Sequence, residues 1–213
     1  MPDLVFDCVG AHVEPYAAAP AMTLELRVTE TTGVRVDAIA LRCQIRVEPH
    51  RRRYSAVEAD SLHDLFGATD RWDDTLKPLQ LATVSLMVPS FTGGTTVDLP
   101  LPVTYDLEVA TTKYFHGLQD GVIPLLLLFS GTVFTTTDGR MQVAQVPWHK
   151  EAPYPLPVKV WRETIEAHFP GSAWLKVHRD TLAALRQFKT RNALPTWEST
   201  LVALMEKARQ LDG

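Results

Sequence analysis

The stretch Met22-Thr-Leu-Glu-Leu-Arg-Val-Thr-Glu30 alternates apolar and polar side chains. Successive side chains of a strand point to opposite faces, so this pattern sets Met22, Leu24, Leu26 and Val28 on a core and their neighbours away from it. The alternation returns beyond Thr31-Thr32-Gly33. Ile39, Leu41, Cys43, Ile45 and Val47 point one way, and Arg42, Gln44, Arg46 and Glu48 the other. Thr31 to Gly33 supplies a turn, and the two segments read as an antiparallel pair, with Leu4, Phe6 and Cys8 of a first strand sharing their core.

Working outward, residues 79–88, 95–99, 103–110 and 122–135 are rich in Val, Thr and aromatics and divided by Pro and Gly, as strands are. Thr137-Asp138-Gly139-Arg140 reads as a tight hairpin turn into a strand over 141–146, and Thr92-Gly93-Gly94-Thr95 as a hairpin tip. One helix interrupts the series. Ser55 and Glu58 have capping-box spacing, Leu62, Leu65 and Phe66 recur at helical intervals, and Gly67 can end the helix in a left-handed conformation. Leu125 to Phe129 lacks alternation, which places it in a central strand covered on both faces.

Pro153, Pro155 and Pro157 form an extended connector, because each proline fixes its own φ and biases its predecessor away from helix. Beyond it, Trp161, Ile165 and Phe169 recur at fours. Leu182, Leu185 and Phe188 follow a cap at Asp180, and Pro195-Thr196 opens a third helix with a stripe of Leu201, Leu204, Met205, Ala208 and Leu211. The expected fold is therefore mainly β. It is an antiparallel β-sandwich with one inserted helix over residues 1–152, then a Pro-rich connector and about three helices over 153–213 that pack on the sandwich.

Composition agrees with a folded core: 46% of residues are apolar and 22% charged. The net charge of −4 gives no pull toward nucleic acid or an anionic membrane, and neither is expected as a partner. The N-terminus lacks a basic segment followed by an apolar one, and the longest apolar run is broken by Pro124. No export signal or membrane span is expected, and the expected location is cytoplasmic. Cys8 and Cys43 are too few for a disulfide scaffold and read as reduced core thiols.

Chemistry-bearing motifs are scarce. There is no phosphate-cradling loop, no Gly-x-Ser-x-Gly elbow, no His-Glu-x-x-His and no Cys-x-x-Cys. Asp60, His63 and Asp64 share one face of the inserted helix, yet neither they nor Asp70, Asp73 and Asp74 have the spacing of a known metal loop, so no metal or cofactor is expected. Arg51, Arg52 and Arg53 are candidates for anion binding, since guanidinium forks suit phosphate and carboxylate. The acidic run from Asp70 to Asp74 is their expected internal counterpart. If residues 103–110, 122–135 and 141–146 form a meander, the reversal at 113–121 lies beside 148–151. That would gather Lys113, Tyr114, Phe115 and His116 with Trp148, His149, Lys150 and Glu151 as a binding cluster.

Several stretches carry a family resemblance: Ala40-Leu-Arg-Cys-Gln-Ile-Arg-Val-Glu-Pro49, Tyr105-Asp-Leu-Glu-Val109, Lys113-Tyr-Phe-His116, Leu128-Phe-Ser-Gly-Thr-Val-Phe134, Val146-Pro-Trp-His-Lys150 and Leu194-Pro-Thr-Trp-Glu198. Through them the chain resembles an uncharacterised actinobacterial family associated by gene neighbourhood with actinobacterial-type NiFe-hydrogenases. The resemblance assigns no catalytic residue. It implies a non-enzymatic interaction or assembly protein, accessory to a cytoplasmic hydrogenase or other redox-enzyme complex, with another protein as partner and a homo-oligomer compatible with that role. The alternative is a small-molecule binder or enzyme with a pocket between the sandwich and the C-terminal helices.

Overall fold

A computed structural model describes residues 2–104, 106, 109–171 and 177–211. Among the described residues, eight strands form two antiparallel sheets. The first has the order β1-β2-β5, from Leu4–Val13, Ala21–Glu30 and Gly94–Pro102. The second runs β4-β3-β6, from Leu79–Val88, Ala38–Val47 and Val122–Thr137; β7 (Arg140–Gln145) and β8 (Glu151–Pro157) share the far side of β6. The sheets are open and packed face to face, the sandwich expected from the alternation.

Inner faces follow the sequence pattern. Leu24, Leu26, Val28, Leu99 and Leu101 meet Ile39, Leu41, Cys43, Ile45, Leu127 and Phe129, all buried. Phe6 of β1 stacks on Phe129 of β6 with ring centroids 4.3 Å apart, joining the two sheets. At one end Glu30, also buried, accepts the N–H groups of Asp3, Thr32 and Val34, which fixes the start of β1 against the turn after β2.

Some connections differ from the sequence reading. β2 and β3 are not a pair: β2 bonds β1 and β5, whereas β3 bonds β4 and β6, so residues 31–37 carry the chain between sheets. Alternation tells inside from outside but not which sheet a strand joins. Residues 89–93 likewise cross between sheets rather than close a hairpin. Asp138 and Gly139 do close one, with φ of 53° and 73°, the positive values a two-residue turn needs.

The inserted helix is split. The Ser55–Glu58 capping box is present, but α1 (Ala56–Ser61) stops at Leu62 before α2 (His63–Phe66), and Gly67 follows at φ 74°. A further turn, α3, spans Trp72–Thr75. In the stretch expected to hold a strand over 103–110, residues 105, 107 and 108 lie outside the described residues. From Ala110 the chain is helical, α4 (Ala110–Gly117), in place of the expected reversal.

The connector with three prolines is itself strand β8. Its register places Ala152, Tyr154 and Leu156 opposite Leu127, Leu125 and Ile123, while Phe129 donates to Lys150 O and Val158 donates to Gly121 O. That parity aims the even-numbered amides at β6. Pro153, Pro155 and Pro157 occupy the positions whose missing N–H would face away from it, where a proline costs the sheet nothing.

Contacts along the chain define two units, Met1–Ser172 and Ala173–Gly213. α5 (Val158–His168) belongs to the first and inserts Trp161 and Ile165 into the core cluster. The second holds α6 (Arg179–Arg191) and α7 (Trp197–Leu211). There Thr196 and Ser199 cap each other's backbone amides, and Lys207 lies 4.8 Å from the Phe188 ring. No helix among the described residues is long and apolar enough to cross a membrane.

Candidate interaction site on the five-stranded sheet

Between β7 and β8 the strand facing β6 carries surplus residues. Val146 donates to Gly131 O and Phe129 donates to Lys150 O, so five residues, 146–150, stand opposite three, 129–131. The excess must leave the sheet, and Lys150 N–H turns back to Pro147 O at 3.0 Å to close the bulge. Trp148 is extruded at its tip, 91% exposed, with His149 edge-on at 5.9 Å. Gly131, opposite the bulge, has φ 147°, and a Cβ there would collide with the carbonyl oxygen of Ala40.

Beneath the indole, the outward side chains of the central strands form a shallow groove of about 390 Å³ lined by Arg42, Gln44, Thr83, Leu128, Ser130 and Trp148. An aromatic platform, a guanidinium and amide and hydroxyl groups are thus presented on one rigid sheet, the composition of a protein-contact hot spot. Lys150 is tied down: its ammonium lies 2.8 Å from Asp3 Oδ1, and hydrogen bonds from Lys150 and Thr31 hold the Asp3 carboxyl below its usual range. Glu151 is exposed where β8 begins.

Residues 113–116 do not join this group. Glu151 pairs with Leu128, six residues along β6 from Val122, about 20 Å at strand rise. α4 instead packs against the inserted helices and α5. Tyr114 is fully buried, and Phe115 meets Trp161 edge-on at 5.6 Å. Lys113 is exposed. His116 sits edge-on to Trp161 at 4.7 Å; desolvation, then the positive charge of Arg162, push its imidazole below the usual histidine range.

Arg51, Arg52 and Arg53 also separate. Arg52 is enclosed: it donates to Glu58 Oε1 at 2.5 Å, Val122 O at 2.6 Å and Asp120 O at 2.6 Å. Its counterpart is Glu58 rather than the acidic run at 70–74. Glu58 also accepts the N–H groups of Ser55 and Gln119; although burial raises its pKa, these hydrogen bonds and Arg52 outweigh it and lower the net value. Nearby, Tyr54 donates to Pro49 O at 2.7 Å, so Tyr114 donates to the Tyr54 oxygen at 2.9 Å, and burial pushes the Tyr54 hydroxyl up to about 12. Arg51 and Arg53 remain exposed, the latter on an open cleft of about 970 Å³ with Tyr54, Asp60, His63 and Trp72.

Among the described residues no three of His, Cys, Asp or Glu converge as metal ligands would. Burial pushes Cys8 up to about 11 and Cys43 up to about 12, against thiolate chemistry. Arg42 and Gln44 were legible as an outward face of their strand. What joins them to Trp148 is the residue surplus opposite Gly131, which only a register reveals.

Fold and site together define an antiparallel β-sandwich protein with an exposed indole over a polar groove on one sheet. The chain belongs to the family of unknown function DUF6084, whose model matches residues 1–212. No curated protein matches the sequence. Among solved structures, β-glucosidase 3B from Thermotoga neapolitana is 10% identical, with a TM-score of 0.26 over 72% of this chain and 17% of the enzyme. The Kluyveromyces marxianus β-glucosidase is 12% identical, at 0.27 over 72% of this chain and 15% of the enzyme. The chain spans less than a fifth of either enzyme, and likeness at this level carries no argument about activity.

Proposed function

We propose that this chain is a non-enzymatic interaction or assembly protein, an accessory of a cytoplasmic redox-enzyme complex of the hydrogenase kind, with another protein as its partner. The observation that supports this reading is Trp148, an almost fully exposed indole held out by a bulge over the polar groove of the sheet. Large exposed aromatics on rigid supports are the anchors of protein interfaces. The test is co-purification of the tagged chain from its native host. Hydrogenase or other redox-enzyme subunits should be retained by the wild type and lost with Trp148→Ala; retention of the same subunits by the variant refutes the assignment of the surface.

A second reading, a small-molecule binder, draws on an apolar recess of about 470 Å³ where Leu81, Pro102, Val103 and Phe115 face Trp161 of α5. Mass spectrometry of the same purified material under native conditions separates the two. A stoichiometric bound small molecule favours the recess.

A further inference from the structure

The far edge of the five-stranded sheet is built in two unlike halves. Along β8 the outward backbone positions are Pro153, Pro155 and Pro157, which have no N–H to offer another strand. Along β7 the parity set by the Val146 to Gly131 bond aims the amides of Arg140, Gln142 and Ala144 at β6. The N–H and C=O groups of Met141, Val143 and Gln145 therefore point outward, and β7 pairs with no other strand among the described residues. Their side chains are bare too: Met141 is 72% and Val143 59% exposed. Val143 continues a row across the outer face through Phe134 and Ala38, with Met87, 61% exposed, beside it. Half of the edge is closed to further pairing and half is open, with free donors and acceptors next to an apolar strip.

We propose that β7 pairs antiparallel with β7 of a second copy of this chain, about a two-fold axis at Val143, joining two five-stranded sheets into one. The register is self-complementary. Outward groups at 141, 143 and 145 are symmetric about Val143, so Val143 meets Val143 of the second copy in a hydrogen-bonded pair and Met141 meets Gln145. Charge agrees with that occupant. The strand's one charged residue, Arg140, lies at its end, so the two arginines stand at opposite ends of the interface. The same register sets Arg140 opposite Val146 of the other copy, at the end of the pairing row. No like charges face each other. A foreign strand gains only the backbone bonds; a second copy also brings its outward groups at 141, 143 and 145 in matching register and lays the exposed Val143 against Val143.

The inference stands apart from the proposed function and is read by mass. Sedimentation of the full-length chain from about 1 to 300 µM should show a reversible shift toward twice the 23.8 kDa monomer, as expected for an interface at the small end of the range. Val143→Pro removes one outward donor without touching the ladder to β6, and should weaken association at least tenfold. Val143→Cys should form a disulfide-linked dimer on mild oxidation, because Cα atoms in such a pair lie about 5.5 Å apart. Met141→Cys, whose counterpart is position 145, should not cross-link, nor should the wild-type thiols. A chain that stays monomeric throughout, a Val143→Pro variant that associates like the wild type, or Met141→Cys cross-linking as well as Val143→Cys overturns the dimer. A monomer that still captures redox subunits overturns the dimer alone.

Discussion

Replacing Arg52 by Met should be among the costliest single changes in this chain, whereas the exposed Arg51 and Arg53 on either side should be dispensable for folding. Arg52 and Glu58 have side chains only 9% and 5% exposed. Removing the guanidinium strips donors from Val122 O and Asp120 O and leaves Glu58 with only backbone N–H partners. Breaking a buried pair by deleting one partner costs about 3–5 kcal/mol. At roughly 2–4 °C per kcal/mol for a chain of this size, the expected fall in Tm is on the order of 10 °C. Arg51→Ala and Arg53→Ala should each stay within about 0.5 kcal/mol. The double variant Arg52→Met/Glu58→Gln should cost less than the sum of its singles by about 1–3 kcal/mol, because the second change removes the charge stranded by the first. Thermal and urea unfolding followed by circular dichroism measure all of these. A Tm loss under about 3 °C for Arg52→Met, or strict additivity in the double variant, would show that the pair is not the clamp its geometry describes.

Trp148→Ala should leave stability within about 0.5 kcal/mol of wild type, since the indole covers little, while abolishing partner capture; a large drop in the urea midpoint would instead make Trp148 a structural residue. Gly131→Ala should destabilise by about 3 kcal/mol or more through its φ and the clash with Ala40, readable as a lowered Tm. Acid should act in two windows. Glu30 and Glu58 have folded pKa values below 4.5, so the unfolded chain takes up protons more readily and stability is lost as pH falls below about 4.5. His116 is likewise lowered from 6.5, so its contribution is present above that pH and lost below it; His116→Phe should flatten the unfolding free energy between pH 7 and 5.5. Truncation after Pro157 removes Val158, Trp161 and Ile165 from the core, and the fragment should aggregate or melt far below the intact chain, whereas a soluble fragment with unchanged Tm refutes the role of α5.

Much of the sandwich was legible because inside and outside are written at period two. Met22, Leu24, Leu26 and Val28, and Ile39, Leu41, Cys43, Ile45 and Val47, are buried as their alternation says, and Ser55, Glu58, Asp138 and Gly139 act through local geometry that a few residues suffice to specify. What escaped depends on partners distant in sequence. The three prolines of β8 argue against a strand unless the side on which the partner lies is known. Arg52 could be seen as a cation but not as a buried one, because Glu58 was already explained by its cap. The expected grouping of 113–116 with 148–151 does not form. Trp148, His149, Lys150 and Glu151 do lie at a sheet edge, but the neighbours supplied for them rested on a strand at 103–110, and the chain is helical from Ala110.

β3 is paired on one side by β4, the next strand in the chain, and on the other by β6, whose Phe134 meets Ala38 across nearly a hundred intervening residues. At about 5–20 residues per second, a ribosome that has finished β3 needs on the order of 5–20 s to deliver the whole of β6. Throughout that interval the nascent chain carries Ile39, Leu41, Cys43 and Ile45 on a strand with one edge unpaired. The chain is thus exposed to aggregation during its own synthesis, and its yield should depend on translation speed and on chaperones that shield β3 until the C-terminal half of the sandwich arrives.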